Sequence, residues 1–571
     1  MEEPQLPFDQ LPLEDGLTFL DPFGVYESLY KAQEAWLNAP PEQWQEAVQE
    51  FWKDYFELCD SSKDEILKGQ TAHDKKLVND ERFRDPLWEE LPYFHFLKKQ
   101  YLLWDKWLQH KIKKTPNLDN KTRRKAAFWT QQFTDMLSPS NFFFSNPVAI
   151  KKAFDTQGQS LVEAGKFFLD DLAKRDISMV CKKRFQVGEN LAMTPGDVIF
   201  KNELMELIYY KPTTPEVHQT PILFIPPWIN KYYVLDLKPE KSPVHFLLEK
   251  RFSVFMISWK NPTADMRDTP FQDYLMRGIL EALRVVNEVC GTPAAHAVGY
   301  CIGGTALMML MAWLNAHPRY QHNNPIAHAT TFCSLTDFSH AGEIDVFLDE
   351  TSISYIEALM SHQGYLDSSQ MQVAFRLLRP NSLIWNYFSS QYLLGEPPPA
   401  FDVLYWNMDG TRLPAATHSY FLRNMYLNNK LIQPKALEIN GIGIELEKIT
   451  QPLYLLSTEH DHISPWHSVF KITQHYSGPV RAALAGSGHI LGVLTPPSDP
   501  PKRHYRAGPV IKGISATDWW ETAVRHEGSW WSDWALWLKE HCGELIPPPG
   551  EQVFSQYPSL FPAPGKYVLD L

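Results

Sequence analysis

The sequence predicts an α/β catalytic domain preceded by a helical domain. Up to about residue 193, apolar and aromatic residues recur at steps of three and four with charged residues between them, which is typical of amphipathic helices. From residue 194 onward, short β-rich runs alternate with helical stretches, which indicates a parallel, doubly wound sheet. We therefore predict a helical domain over 1–193 and a catalytic domain over 194–571.

Three segments of the first domain carry the helical pattern. They cover residues 44–56, 94–108 and 146–172, and each places aromatic or aliphatic side chains on one face. In the second domain seven short runs are predicted as strands: Leu207 to Tyr210, Ile222 to Ile225, Val254 to Ser258, Ala295 to Val298, Ala327 to Phe332, Leu453 to Ser457 and Val480 to Leu484.

Helical segments interrupt and follow these strands. Between about 337 and 440 the alternation gives way to a helical, aromatic-rich insertion, placed where a cap over a site is expected, although a loop-rich surface domain is the alternative. Near the end, Trp530, Trp531, Trp534 and Trp537 share one helical face, which predicts that they pack in the core.

Composition excludes several classes of protein. The 571 residues include 67 acidic and 54 basic side chains without a Lys/Arg-rich block, so nucleic-acid binding is disfavoured. The six cysteines have no paired spacing, which argues against a disulfide framework and a zinc site. The longest apolar run, 306–314, is too short for a bilayer, and the acidic start lacks a signal peptide. These features predict a soluble protein of a reducing compartment.

The segment Gly299-Tyr300-Cys301-Ile302-Gly303-Gly304 has the G-x-S-x-G form of a nucleophile elbow, with cysteine in the place of serine. Small residues on both sides of the nucleophile let a strand turn sharply into a helix. A predicted strand precedes the segment and the helical run 305–313 follows it. Cys301 is therefore the candidate nucleophile, and a structural cysteine in a glycine-rich turn is the alternative.

A cysteine nucleophile needs a base, and the base needs an acid that orients it. In an α/β-hydrolase the chain order is nucleophile, acid, base, each just after a strand. Asp461 follows the predicted strand 453–457, and His489 follows the strand 480–484. We predict Asp461 as the acid and His489 as the base, with Glu459 as a rival acid. The predicted fold is an α/β-hydrolase domain with a helical cap.

The oxyanion hole is predicted to use the backbone N–H of Ile302 and a second N–H from the loop after an earlier strand. That loop begins Pro226-Pro227, and proline has no N–H to donate. Trp228 is therefore the first possible second donor, and Ile229 is the runner-up.

The choice of cysteine carries a chemical implication. Transfer of an acyl group from a thioester to Cys301 forms another thioester, so the step is nearly isoenergetic. The acyl-enzyme then keeps enough driving force to acylate an alcohol. This chemistry favours acyl transfer from a thioester donor over ester hydrolysis.

The chain resembles the polyhydroxyalkanoate synthases, most closely the class I type that makes poly-3-hydroxybutyrate. The resemblance covers roughly residues 75–571 and is carried by long segments: DERFRDPLW, SPSNFFFSNP, TPGDVIFKNELMELIYYKP, PPWINKYYVLDL, FMISWKNP, GYCIGG, YWNMDGTRLP, HDHISPW, GSGHILGVLTPP and GSWWSDWALWLKEH. Arg412 in YWNMDGTR departs from the asparagine of the family pattern. The family's nucleophile, acid and base fall on Cys301, Asp461 and His489.

The resemblance implies an acyltransferase that polymerises (R)-3-hydroxyacyl-CoA, with release of CoA, through an acyl-enzyme on the cysteine. It further implies a homodimer in the cytoplasm, a growing polyester chain on a granule surface, and dimer or granule association through the N-terminal domain. The route requires no metal and no organic cofactor. The acyl length it prefers depends on the shape of the pocket and stays open.

Two alternatives stay open at this stage. One is a hydrolase of the same fold, such as a polyester depolymerase or a thioesterase, in which water accepts the acyl group. The other is a granule-coating protein whose catalytic site is relict. The first is distinguished by the acceptor of the acyl group, and the second by whether Cys301 is needed for polymer formation.

Overall fold

The computed structural model describes residues 21–68 and 80–570. The chain divides into two compact units. One comprises the described residues up to Lys182 together with Val373–Phe401, and the other comprises Lys183–Gln372 and Asp402–Leu571. Residues 373–401, which lie within the predicted cap, thus group with the N-terminal helices.

The first unit is helical, as its periodicity predicts. Its α-helices are Val25–Leu37, Pro41–Lys68, Leu87–Glu90, Pro92–Lys113, Asn120–Met136, Pro147–Asp155, Gln159–Lys174 and Asn386–Tyr392. The single helix predicted over 146–172 was wrong, because the chain breaks at Gln157 and Gly158, whose φ angles are 51° and 84°. Glycine adopts this left-handed conformation at little cost, so the second helix begins on a new axis.

The second unit is built on an eleven-stranded sheet. In chain order its strands are β1 (Gly196–Lys201), β2 (Met205–Tyr210), β3 (Ile222–Ile225), β4 (Val254–Trp259), β5 (Ala295–Tyr300), β6 (Ile326–Phe332), β7 (Leu453–Thr458), β8 (Val480–Ala485), β9 (His504–Pro509), β10 (Val524–Glu527) and β11 (Phe561–Pro562). Their spatial order is β10-β9-β8-β7-β6-β5-β3-β4-β2-β1-β11.

All seven predicted strands are present, as β2 to β8, but the sheet is parallel only in its centre. The six strands β4-β3-β5-β6-β7-β8 pair in parallel. β2 is antiparallel to both β1 and β4. The short turn that joins β1 to β2 without a crossover helix accounts for the first of these pairings. The predicted parallel sheet is confirmed in its centre, whereas the strands at its edges pair antiparallel.

Helices cover the sheet and fill the insertion between β6 and β7. The α-helices of this part are Pro243–Glu249, Phe271–Asp273, Glu281–Cys290, Ile302–Ala316, Glu350–Gln363, Ser368–Leu378, Asp402–Met408, Ala415–Phe421, Trp466–Phe470, Ala516–Thr522, Trp530–His541 and Glu551–Phe554. The four tryptophans of Trp530–His541 are buried, which confirms the predicted core packing.

The strand order β1-β2-β4-β3-β5-β6-β7-β8, with the sharp strand-to-helix turn after β5, is that of the α/β-hydrolase fold. This confirms the predicted fold class, a helical insertion included. In such a sheet the loops after parallel strands meet at one edge, so residues that follow β3, β5, β6, β7 and β8 come together. None of the described helices combines the length and the apolar character that a membrane crossing requires.

Candidate active site

Cys301 occupies the turn between β5 and the helix Ile302–Ala316. Its backbone has φ 53° and ψ −121°, outside the regions that most side chains favour. The Cys301 N–H donates to the Phe332 carbonyl at 2.8 Å, which ties the turn to the end of β6. A strained residue at the head of a buried helix is the geometry of a nucleophile elbow.

The glycines of the elbow are required by close packing of backbone. A Cβ on Gly299 would lie 2.4 Å from the Gly304 Cα, and a Cβ on Gly303 would lie 2.2 Å from the Ile225 carbonyl oxygen. No side chain larger than hydrogen fits at either position. The helix that follows Cys301 is therefore seated directly against the end of β3, where the loop with the predicted second oxyanion donor begins.

Asp461 and His489 form a buried pair. His489 Nδ1 lies 2.7 Å from Asp461 Oδ2, which accepts its proton in a hydrogen bond. The other oxygen, Oδ1, accepts from the backbone N–H groups of Ile463 at 2.9 Å and Ser464 at 2.8 Å. These bonds fix the carboxylate, and the carboxylate fixes the ring, so the tautomer of His489 with its free position at Nε2 is set.

Opposing effects set the charge of this pair. Burial by itself lowers the pKa of His489, but the Asp461 carboxylate and the Cys301 side chain outweigh it and raise the pKa of His489 to about 10. Burial also tends to raise the pKa of Asp461, yet His489 and the two backbone N–H groups hold that pKa below its usual range. The site thus keeps Asp461 as a carboxylate, and this carboxylate stabilises the imidazolium that forms when His489 takes a proton from Cys301.

The rival acid lies elsewhere. Glu459 is partly exposed, and its carboxylate oxygens lie 3.2 and 3.3 Å from His504 Nε2. It follows β7 as Asp461 does, but two residues earlier, and the turn directs it to the β8–β9 side of the sheet. The structure thus brings Asp461, and not Glu459, onto His489.

The predicted oxyanion donors lie around the elbow. Ile302 is the first residue of its helix, where N–H groups lack intrahelical acceptors and the helix dipole is positive. Trp228 and Ile229 follow β3 in the loop against which Gly303 packs. Among the described residues, the N–H groups of Ile302, Trp228 and Ile229 have no hydrogen-bond acceptor.

Comparison with known proteins identifies the family. A family model described as the N-terminus of poly-beta-hydroxybutyrate polymerase (PhaC) matches residues 79–247. The poly(3-hydroxyalkanoate) polymerase of Methylorubrum extorquens is 39% identical over 551 residues, which cover 95% of this chain and 89% of that protein. The chain belongs to the poly(3-hydroxyalkanoate) polymerase family.

A second relative matches over a similar extent of the chain, and a solved structure matches over a little more than half of it. The polymerase subunit of Cupriavidus necator is 35% identical and covers 94% of this chain and 90% of its own. Among solved structures, the monoacylglycerol lipase of Paleococcus ferrophilus has 12% identity and a TM-score of 0.31, and covers 57% of this chain and 97% of its own.

Three residues at the site of this family member were not found from the sequence. The Tyr300 ring stacks on the His489 ring with centroids 5.5 Å apart, and its hydroxyl donates to the His489 carbonyl at 3.2 Å. The Thr458 hydroxyl donates to Asp461 Oδ2 at 3.3 Å. Cys333 lies behind this oxygen, with its Sγ 3.7 Å from the Thr458 hydroxyl. For Tyr300 and Cys333 the missing signal was the order and register of the strands in the sheet, whereas Thr458 lies only three residues before Asp461.

Cys333, Asp461 and His489 place potential metal ligands within 4.8 Å of one another. Their chemistry does not suit a resident metal. Burial raises the pKa of the Cys333 thiol well above its usual range, so the sulfur stays protonated. Both Asp461 oxygens already accept hydrogen bonds, and His489 Nδ1 donates to one of them. The cluster is explained as a hydrogen-bonded acid–base pair with a thiol behind it.

Proposed function

We propose that the protein polymerises (R)-3-hydroxyacyl-CoA, with 3-hydroxybutyryl-CoA as its expected substrate, into polyhydroxyalkanoate and releases CoA. One observation carries the proposal: an Asp461–His489 pair at 2.7 Å stands beside an elbow cysteine. The chain that holds this pair is 39% identical to a poly(3-hydroxyalkanoate) polymerase.

The first half-reaction loads the acyl group on Cys301. His489, held by Asp461, takes the thiol proton, and the thiolate attacks the carbonyl carbon of the acyl-CoA thioester. The N–H of Ile302 and a second N–H from the 228–229 loop stabilise the oxyanion. The new C–S bond to Cys301 replaces the C–S bond to CoA, and the CoA sulfur takes the proton from His489.

The second half-reaction forms the ester. His489 takes the proton of a 3-hydroxyl group, and that oxygen attacks the carbonyl carbon of the acyl-Cys301 thioester. A C–O bond forms, the C–S bond to Cys301 breaks, and the proton on His489 returns to the sulfur. The step is downhill because an oxygen ester replaces a thioester, which is the driving force that a serine nucleophile would have lost.

Exposed aromatic residues support association of the N-terminal unit with an apolar polyester granule, and the location of this granule in the cytoplasm is proposed on the family resemblance. Phe144 and Phe154 expose 86% and 81% of their surface, and Trp52 and Phe56 on helix Pro41–Lys68 are about half exposed. Exposed apolar groups of this number on a compact unit are typical of an interaction surface. The homodimer is proposed on the family resemblance, and light scattering of the purified protein tests it.

The test is incubation of the purified full chain with (R)-3-hydroxybutyryl-CoA and with its eight-carbon homologue. We expect CoA release together with an insoluble polyester that yields 3-hydroxyacyl methyl esters on methanolysis. Cys301→Ala is expected to abolish both. Free 3-hydroxy acid without polymer would establish the hydrolase alternative. Polymer synthesis that survives in Cys301→Ala would contradict the role of the cysteine, and no synthesis by the wild type would support a relict site.

A further inference from the structure

The loop after β3 is fastened to a segment of the insertion. Thr411 binds it twice: its N–H donates to the Ile229 carbonyl at 3.0 Å, and its hydroxyl donates to the Trp228 carbonyl. The next residue of the loop, Asn230, forms an antiparallel bridge with Gly410. Thr411 is buried, so water does not compete for these bonds.

A buried ion pair makes a second attachment. Lys231 Nζ lies 2.8 Å from Asp409 Oδ1, and the Lys231 side chain is only 4% exposed. The Tyr233 hydroxyl donates to the other Asp409 oxygen at 2.9 Å. Removing one member would leave a buried charge unpaired, so this pair resists movement of the loop. The loop is thus held at two carbonyls and one side chain.

Because the peptide group is planar, the contact with Thr411 also sets the direction of the Ile229 N–H. In a trans peptide the C=O and the N–H point in opposite directions. The Trp228 carbonyl and the Ile229 N–H belong to the same peptide, so the Thr411 hydroxyl fixes the direction of the Ile229 N–H as well. Among the described residues this N–H donates to no acceptor, and Gly303 places the same loop against the helix of Cys301.

We propose that Thr411 is a positioning residue that orients the Ile229 N–H as the second oxyanion donor, opposite Ile302. Of the peptides next to Trp228, the Trp228–Ile229 peptide is the one whose carbonyl is held by a side chain from another segment. Preorganised donors are those that stabilise a transition state without reorganisation. This inference rests on the proposed function, because an oxyanion forms only when Cys301 attacks a carbonyl carbon.

The test compares two reactions of Cys301 in one protein. Acylation of Cys301 by 3-hydroxybutyryl-CoA passes through an oxyanion, and its rate is measured as the release of CoA in a single turnover. Alkylation by iodoacetamide attacks a saturated carbon, develops no oxyanion, and reports only the cysteine and His489. A residue that orients an oxyanion donor must affect the first reaction and spare the second, whereas a residue that merely supports the fold affects both.

Thr411→Val keeps the shape of the side chain and removes its hydroxyl. Because loss of a whole oxyanion donor costs about 10²–10³-fold in rate, misorientation of one donor is expected to slow CoA release by roughly 10–100-fold. The loss should lie in kcat with little change in KM. Thr411→Ser retains the hydroxyl and is expected to restore most of the rate. Alkylation should stay at the wild-type rate in both variants.

Thr417→Val is the matched control, since the buried Thr417 hydroxyl donates to the Thr269 carbonyl at 2.7 Å away from the loop. CoA release at the wild-type rate in Thr411→Val would overturn the inference. So would a Thr411→Val variant whose alkylation slows as much as its CoA release, or a Thr417→Val variant whose CoA release slows as much as that of Thr411→Val. These outcomes presuppose a wild type that forms polymer. Failure of the wild type to do so, or polymer synthesis by Cys301→Ala, would instead contradict the proposed function.

Discussion

Asp461→Asn is the change whose effect the structure defines most sharply. The side chain is buried, and Oδ1 accepts from two backbone N–H groups, those of Ile463 and Ser464. In the variant the asparagine oxygen must take this place, because an NH₂ group there would face two donors. The NH₂ group is then turned towards His489 Nδ1. His489 has to accept at Nδ1 and carry its proton on Nε2, which is the wrong tautomer for taking a proton from Cys301.

The magnitude follows from this forced tautomer. Loss of the orienting carboxylate with preserved geometry lowers kcat about 10⁴-fold in enzymes that use a triad. The same loss is expected here, since the Asp461–His489 bond of 2.7 Å is buried and no water can replace it. The binding of acyl-CoA does not involve Asp461, so KM should change little.

The assay is the initial rate of CoA release from 3-hydroxybutyryl-CoA, with circular dichroism to show that the variant is folded. Glu459→Gln is the matched control, because Glu459 also follows β7 but contacts His504, and it should retain nearly full activity. A folded Asp461→Asn variant within about tenfold of the wild type would refute the reasoning. Equal damage by Glu459→Gln would refute the assignment of the acid.

Three further predictions address the remaining parts of the site. Because the pKa of His489 is raised to about 10, its contribution to stability is complete below its ordinary pKa of about 6.5 and is lost as the pH rises towards 10. Urea unfolding should therefore show a stability that falls over that range, and the fall should be smaller in the asparagine variant described above; equal slopes would contradict this. Cys333→Ala should cost less than about fivefold in CoA release, and iodoacetamide should label Cys301 but not Cys333 in peptide mass spectra. Gly303→Ala should destabilise the protein by about 1–3 kcal/mol and slow CoA release, whereas Gly165→Ala, where a Cβ has no described atom within 4 Å, should do neither, as urea titrations of both variants would show.

The sequence sufficed for the elements and for the chain order of the site. β-rich runs located β2 to β8, and the elbow needed only its glycines and its flanking strand and helix. Asp461 and His489 could be predicted as a pair because each follows a strand, a position that chain order reveals. These features are local, so periodicity and turn chemistry determine them without knowledge of the fold.

The sequence could not provide the register between strands or the contacts between residues that lie far apart in the chain. Cys333 reaches the surroundings of Asp461 only because β6 and β7 pair in a particular register. Thr411 reaches Trp228 across 183 positions of sequence. The break at Gly158 was missed because both flanking segments are helical, and a single glycine is often tolerated inside a helix.

The two cysteines at the sheet edge differ in position in a way that favours Cys301 as the nucleophile. Tyr300 pairs with Phe332 in register, so Cys301 and Cys333 directly follow paired residues on neighbouring strands. Both have positive φ, at 53° and 48°. Cys301 opens a helix, where the dipole favours an anion, and it acts on the ring of His489. Cys333 is buried without such a helix, and burial with the Asp461 carboxylate raises its thiol pKa well above the usual range. To exchange the two positions, the chain would need a new helix start and not only a new side chain. The elbow, rather than the presence of a cysteine, is therefore what supports Cys301 as the proposed nucleophile.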